Sequence, residues 1–314
     1  MKLNEQGNIL NMGQLTRRHF LSQLGMLTAA ASFATLSDAA AAPELFFKIS
    51  LGEWTFEKSL KKGVMKNLDF PIKAKRDFDI DTVEYVNTLF DNHSTDPNYL
   101  KELKNRCDDN GVKSLLILCD DEGDLDDLDV QQRQKAVENH FKWVDAAHFL
   151  GCESIRVNCR GKGAMKEVAA AGIEGLRALS EYARKANLNV LVENHGGYSS
   201  DAQWLVGVIK SVGMPNCGTL PDFDNFDITP TFWYDRYKGV EELMPFAKAV
   251  SSKAINFDAK GNCVETDFER MLKIVKASGY KGYLGIEYEG DQLSEDEGVR
   301  ATKRLLERVA ASLR

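Results

Sequence analysis

Three acidic residues each close a short apolar run: Glu193 in VLVEN, Asp222 in TLPDF and Glu287 in LGIEY. Runs of this kind read as β-strands, so each carboxylate falls at a strand end. Gathered in one place, the three would raise one another's pKa unless a cation neutralised them. Two sources of positive charge are at hand. One is a hard divalent metal held by oxygen ligands, Mg2+, Mn2+ or a relative. The other is the basic set Lys253, Arg156 and Arg160, which would make the cluster a salt-bridged one. His195 lies two residues past Glu193 and could act as an acid, bind a substrate hydroxyl or serve as a hydrogen-bonded wall. Arg156, Asn158 and Arg160 could orient polar substrate groups, while His93, His140 and His148 receive no role. The acidic stretch 120–129 reads as a solvated loop or a lid.

Positioning those residues requires the elements around them. Eight apolar or β-branched runs are predicted as strands: 45–51, 82–87, 112–118, 154–158, 189–194, 217–223, 249–255 and 282–288. Helical patterns lie between them at 97–109, 131–150, 167–186, 201–211, 240–247 and 267–277. A last helix opens at Ser294, with Glu297 completing a capping box. Segment 57–81 is the least clear, because Pro71 interrupts its helical pattern. Side chains alternate along a strand. Val190 and Val192 suit a helix-packed face, which turns Glu193 and His195 inward. The same parity turns Arg156 and Asn158, Asp222, Ser251 and Lys253, and Gly285 and Glu287 inward. Eight strand–helix units and the lack of a G-x-G-x-x-G turn after any strand predict a (β/α)8 TIM barrel rather than an open doubly wound sheet. Active residues of such a barrel sit at the C-terminal strand ends.

Residues 1–41 stand apart from this pattern. Thr16-Arg17-Arg18-His19-Phe20-Leu21, a modest apolar run and the alanines 39–42 resemble a twin-arginine export signal. The expectation is a periplasmic or otherwise extracytoplasmic protein, exported folded, with one domain spanning 42–314. The formal charge of −7 argues against a nucleic-acid surface. Six cysteines without a C-x-x-C pair exclude a zinc ribbon and read as buried thiols. No stable membrane anchor is expected, and an oligomer is compatible with the sequence.

VLVENHGGYSS, GTLPDFDNF, VSSKAINFDAKGN and GYKGYLGIEYEG resemble the sugar phosphate isomerase/epimerase superfamily, the xylose isomerase-like barrels, across the whole chain after the leader. The resemblance implies one divalent metal (Mn, Mg or Co) on a Glu, an Asp, a His and a Glu, which places Glu193, Asp222 and Glu287 among its ligands. At the histidine position this chain has Ser251, so a loosely held metal is implied, or its replacement by Lys253. The implied chemistry is proton transfer through an enediolate of a keto-sugar, with Glu193 and Glu287 as the proton-moving pair. His195, Arg156, Asn158, Lys253, Trp54 and Glu84 are the expected substrate contacts. Trp54 could also be a packed core residue and Glu84 a structural carboxylate. A lyase acting on oxidised (3-keto) glycosides and a non-catalytic sugar-binding barrel are the alternatives. An endonuclease is disfavoured, since its three-zinc site needs several histidines and a basic surface.

Overall fold

Short β-branched runs alternate with capped helices, and this alternation builds the barrel. A computed structural model describes residues 45–313. The expected leader lies outside the described residues, as do 42–44 and 314. The strands are β1 (Lys48–Gly52), β2 (Thr82–Val86), β3 (Lys113–Leu118), β4 (Ser154–Val157), β5 (Asn189–Glu193), β6 (Cys217–Leu220), β7 (Asp227–Thr229), β8 (Phe232–Trp233), β9 (Val250–Ala254) and β10 (Tyr283–Tyr288). Eight of them form one parallel sheet in the order β6-β5-β4-β3-β2-β1-β10-β9. Parallel bridges Thr219↔Ala247 and Asp222↔Ser251 link the β6 edge to the β9 edge. The fold is therefore the expected α/β TIM barrel. The short pair β7–β8 is an antiparallel hairpin inserted after β6.

The helices are α1 (Glu57–Lys61), α2 (Phe70–Phe78), α3 (Pro97–Asn110), α4 (Val130–Leu150), α5 (Met165–Lys185), α6 (Ala202–Val212), α7 (Arg236–Leu243), α8 (Phe268–Ala277) and α9 (Glu295–Ser312). Side chains of Asp96, Asp129, Asp201, Asp235 and Asp267 cap α3, α4, α6, α7 and α8 by accepting first-turn N–H groups. The Ser294–Glu297 capping box is present at α9. Two expectations needed correction. Pro71 starts α2 instead of breaking it, because an N-terminal proline gives up no helical hydrogen bond. The helix expected at 240–247 begins four residues earlier, where Asp235 caps it, and gives way to a 3-10 turn at Met244–Phe246.

Val190, Val192, Ile155, Val157, Val250, Leu284 and Ile286 pack in the cluster shared with the helices. Leu116, Leu118, Leu191, Leu220, Val86 and Ala249 form a second apolar cluster, contributed by the other strand face. The alternation inferred from sequence therefore holds, and it leaves the polar residues at the C-terminal mouth. Among the described residues no helix is long and apolar enough to cross a membrane. All six cysteines are free and buried.

Candidate active site

Strands β4, β5, β6, β9 and β10 deliver inward polar residues within two positions of their C-terminal ends. Arg156 of β4 donates from Nη1 to Asp120 Oδ1 at 2.8 Å, and its Nε lies 2.8 Å from Glu193 Oε2. That second contact is an ion pair without hydrogen-bond alignment, since both atoms lack a directed partner. Asn158 Nδ2 donates to Asp120 Oδ1 at 2.6 Å. Across the mouth, Lys253 Nζ lies 3.2 Å from Glu287 Oε1 and 3.0 Å from Glu289 Oε1. Asn225 joins the two halves: its Nδ2 donates to Glu193 Oε1 (3.2 Å) and its Oδ1 accepts from Lys253 (3.0 Å). Asp222 Oδ1 accepts the backbone N–H groups of Asp224 and Asn225, each at 2.8 Å. Asp222 Oδ2 and Ser251 Oγ are buried with no partner in the protein.

Buried charge explains the protonation pattern. Burial pushes Glu193 up to about 7, against the pull of Arg156 and with Asp222 adding repulsion. Burial likewise raises Glu287 well above the carboxylate range, despite Lys253. Glu289 is held low, because Lys253 and hydrogen bonds from Glu287, Lys253 and Trp54 outweigh its burial. Asp120 shows the same balance: burial opposes, yet Arg156 and Asn158 hold it at about 2. Lys253 stays charged, since Asp222, Glu287, Glu289 and Glu193 overcome its desolvation.

His195 departs from one expectation. Burial, then Arg156, Arg160 and Lys253, push it down to about 2, so at neutral pH it is uncharged and cannot act as an imidazolium acid. The ring is held by Arg160 Nη2, 2.6 Å from Nδ1 and 3.2 Å from Nε2, and by Asn158 Oδ1, 3.0 Å from Nδ1. Glu84 is buried, accepts from Ser50 Oγ at 2.5 Å and sits against Gly285, where a Cβ would meet its Oε1 at 2.6 Å. Burial raises it to about 7. Trp54 is half-buried and borders a cavity of about 150 Å³ shared with Glu289, Tyr288 and Lys58.

The sequence reading missed four contributors. Asp120 lies just past β3, in the stretch read as a solvated loop or lid. That reading fails for Asp120 and also for Asp126, which is buried and accepts from Gly161 N at 2.8 Å. Glu289 shares the parity of Glu287 and could have been found by it. Asn225 and Asn194 follow no strand parity. Asn194 Oδ1 accepts from Asp222 N (2.8 Å) and its Nδ2 donates to the Asp222 and Asn225 carbonyls (3.0 Å each), which fixes the β6 loop.

Residues 72–309 match the family described as Xylose isomerase-like TIM barrel, and the chain belongs to it. No curated protein sequence matches the chain at a significant level. Solved structures share the fold at low identity. The IOLI protein with a binding zinc atom is 13% identical, covers 85% of this chain and 99% of its own, with a TM-score of 0.66. The apo form of 3-keto-D-glucoside 4-epimerase, YcjR, from E. coli is 14% identical over 84% of this chain and 100% of its own, with a TM-score of 0.61. A xylose isomerase-like TIM barrel protein from Mycobacterium smegmatis in complex with magnesium is 14% identical over 85% and 98%, with a TM-score of 0.61.

Zinc and magnesium occur in those relatives, so the fit of this mouth to a divalent ion matters. The residues do not fit one as they stand. Arg156 lies on Glu193, Lys253 lies on Glu287, and the fourth position carries the Ser251 hydroxyl. Among the described residues, no group of three or more His, Cys, Asp or Glu side chains is arranged to hold a metal ion. Of the ligand set expected from sequence, Glu193 and Glu287 are thus paired with side-chain cations, while Asp222 is held by backbone N–H groups and keeps one oxygen without a partner.

Proposed function

We propose that the protein is a sugar isomerase or epimerase, moving a proton at the carbon beside the carbonyl of a small keto-sugar. The observation that carries this reading is the pair Glu193 and Glu287. They lie at the C-terminal ends of β5 and β10, with four strands between them in the sheet order, and burial raises both, Glu193 to about 7 and Glu287 well above the ordinary carboxylate value. A carboxyl group titrating near 7 can serve as base in one form and acid in the other. One carboxylate would take the proton from carbon, and the other would return it on the opposite face, which gives epimerisation. Return by the same group to the neighbouring carbon gives 1,2-isomerisation. Negative charge on the enediolate develops beside the buried Arg156 guanidinium. Asn158 and neutral His195 supply hydrogen-bonding groups for hydroxyls, and Trp54 an apolar face. The leader expected at 1–41 makes an unphosphorylated, extracytoplasmic sugar the substrate.

Deuterium wash-in tests the reading. The full chain is incubated in D2O with a panel of keto-sugars and 3-keto glycosides, followed by NMR. Exchange beside the carbonyl is expected, reduced about 10²–10⁴-fold in Glu193→Gln and Glu287→Gln. Elimination from a 3-keto glycoside shares the first half-reaction and is distinguished by release of the leaving group. Sugar binding without exchange would make the barrel a binding protein and overturn the proposal.

A further inference from the structure

Lys253 occupies the centre of the carboxylate cluster, and its placement is a matter of backbone register. In the β9–β10 pairing it stands directly opposite Glu287, two residues beyond Ser251 on the same strand face. Its side chain is 4% exposed. An ammonium has three N–H donors, and three acceptors surround this one: Glu287 Oε1, Glu289 Oε1 and Asn225 Oδ1, at 3.2, 3.0 and 3.0 Å. Those acceptors come from two different elements, the end of β10 and the loop after β6. The lysine therefore ties the mouth together and has no free donor left to swing on.

We infer that Lys253 is the resident cation of this mouth, in the place where the family resemblance implies a divalent ion, and that the chain holds no divalent metal there. Three observations converge. The ammonium already engages two of the mouth's carboxylates. The position beside Asp222, on the bridge that joins β6 to β9, is a hydroxyl that has no partner rather than an imidazole. Glu193 is engaged by a second fixed cation, Arg156. A divalent ion would need these carboxylates ionised and unshared, and would sit against an ammonium of like charge that the register prevents from leaving. Resting on the enediolate reading above, the same ammonium joins Arg156 in meeting the developing oxyanion, exchanging its Asn225 contact for the substrate oxygen.

Mn2+ titration of the full chain, with free Mn2+ followed by electron paramagnetic resonance, tests the inference without any substrate. Wild type is expected to retain no Mn2+ through gel filtration and to show no saturable site. Ser251→His alone should behave the same, because the ammonium remains. Ser251→His combined with Lys253→Ala should gain a saturable site, at least about 10–100-fold tighter than the wild type's residual binding. One tightly held Mn2+ in wild type, or a tight site in Ser251→His alone, would overturn the inference. Should the double variant fail to fold, wild type and the single variant still decide. Failure of the wash-in experiment leaves these titrations unaffected, so the two readings fall separately.

Discussion

Two buried carboxylate environments, at Glu53 and at the mouth, differ in what surrounds the oxygens. Glu53, in the turn after β1, is fully buried, and both its oxygens are satisfied by neutral donors: Asn67 Nδ2 at 2.7 Å and Val86 N at 3.0 Å. Asn67 is itself held by the Tyr99 hydroxyl at 2.7 Å. Burial raises Glu53 to about 8, so it spends neutral pH mostly protonated. At the mouth, Glu193 Oε2, Asp222 Oδ2, Ser251 Oγ and Arg156 Nε are just as buried yet lack aligned partners. Native proteins leave few such atoms, and each calls for an explanation. Saturated polar groups hold loops together; unsaturated ones are free to take a ligand. Burial alone would have ranked Glu53 with Glu193.

Removing each carboxylate tests that distinction. Glu53→Ala orphans the Val86 N–H and the Asn67 amide, at about 1–3 kcal/mol for each buried donor, so a loss of roughly 2–6 kcal/mol is expected from urea unfolding midpoints. Glu193→Gln should cost far less, since Arg156 keeps Asp120 as a partner. The reverse order would erase the comparison.

A pH series extends it. Glu53, Glu84, Asp126 and Glu193 all have pKa values raised by burial, to about 8, 7, 7 and 7. A carboxyl group raised in the folded state binds its proton more tightly there than in the unfolded chain. Its contribution is therefore complete below the unfolded pKa and is lost as pH rises through the folded one. Stability should fall as pH rises from about 4 to about 8, each group contributing up to a few kcal/mol. Glu53→Gln should flatten that slope, because it removes a buried group that titrates at the alkaline end of the window. A slope unchanged in Glu53→Gln would mean that Glu53 is ionised, with its charge compensated elsewhere.

The legible and illegible parts of the site follow the same physics. Strand alternation has a period of two, so the inward residues Arg156, Glu193, Ser251, Lys253 and Glu287 could be read from their apolar neighbours. The fold followed from the same pattern repeated eight times. Asp120, Asn194 and Asn225 lie beyond the strands, where no period operates and only the packed loops bring them in. Glu53 carried no signal at all, since its partners are 14 and 33 residues away and one of them is a backbone N–H. The protonation state of His195 depends on Arg160 and Arg156 converging on it, which a linear sequence does not display.

The smallest effect concerns Asn225, whose contact resembles that of Asn67: an amide Nδ2 donating to a glutamate oxygen. Asn67 is buried and holds a saturated carboxyl, whereas Asn225 is half-buried and links Glu193 to Lys253. Asn225→Ala should cost only about 1 kcal/mol, because Glu193 keeps Arg156 and Lys253 keeps Glu287 and Glu289 as partners. Its signature lies in pH dependence. A donated hydrogen bond favours the ionised carboxylate, so losing it moves the Glu193 pKa further up from about 7. If Glu193 abstracts the proton in its ionised form, the rising limb of the wash-in rate against pH should move to higher pH in Asn225→Ala. Stability would scarcely change. A limb that stays in place would assign the titration to Glu287 instead, and would make Asn225 a strut between loops.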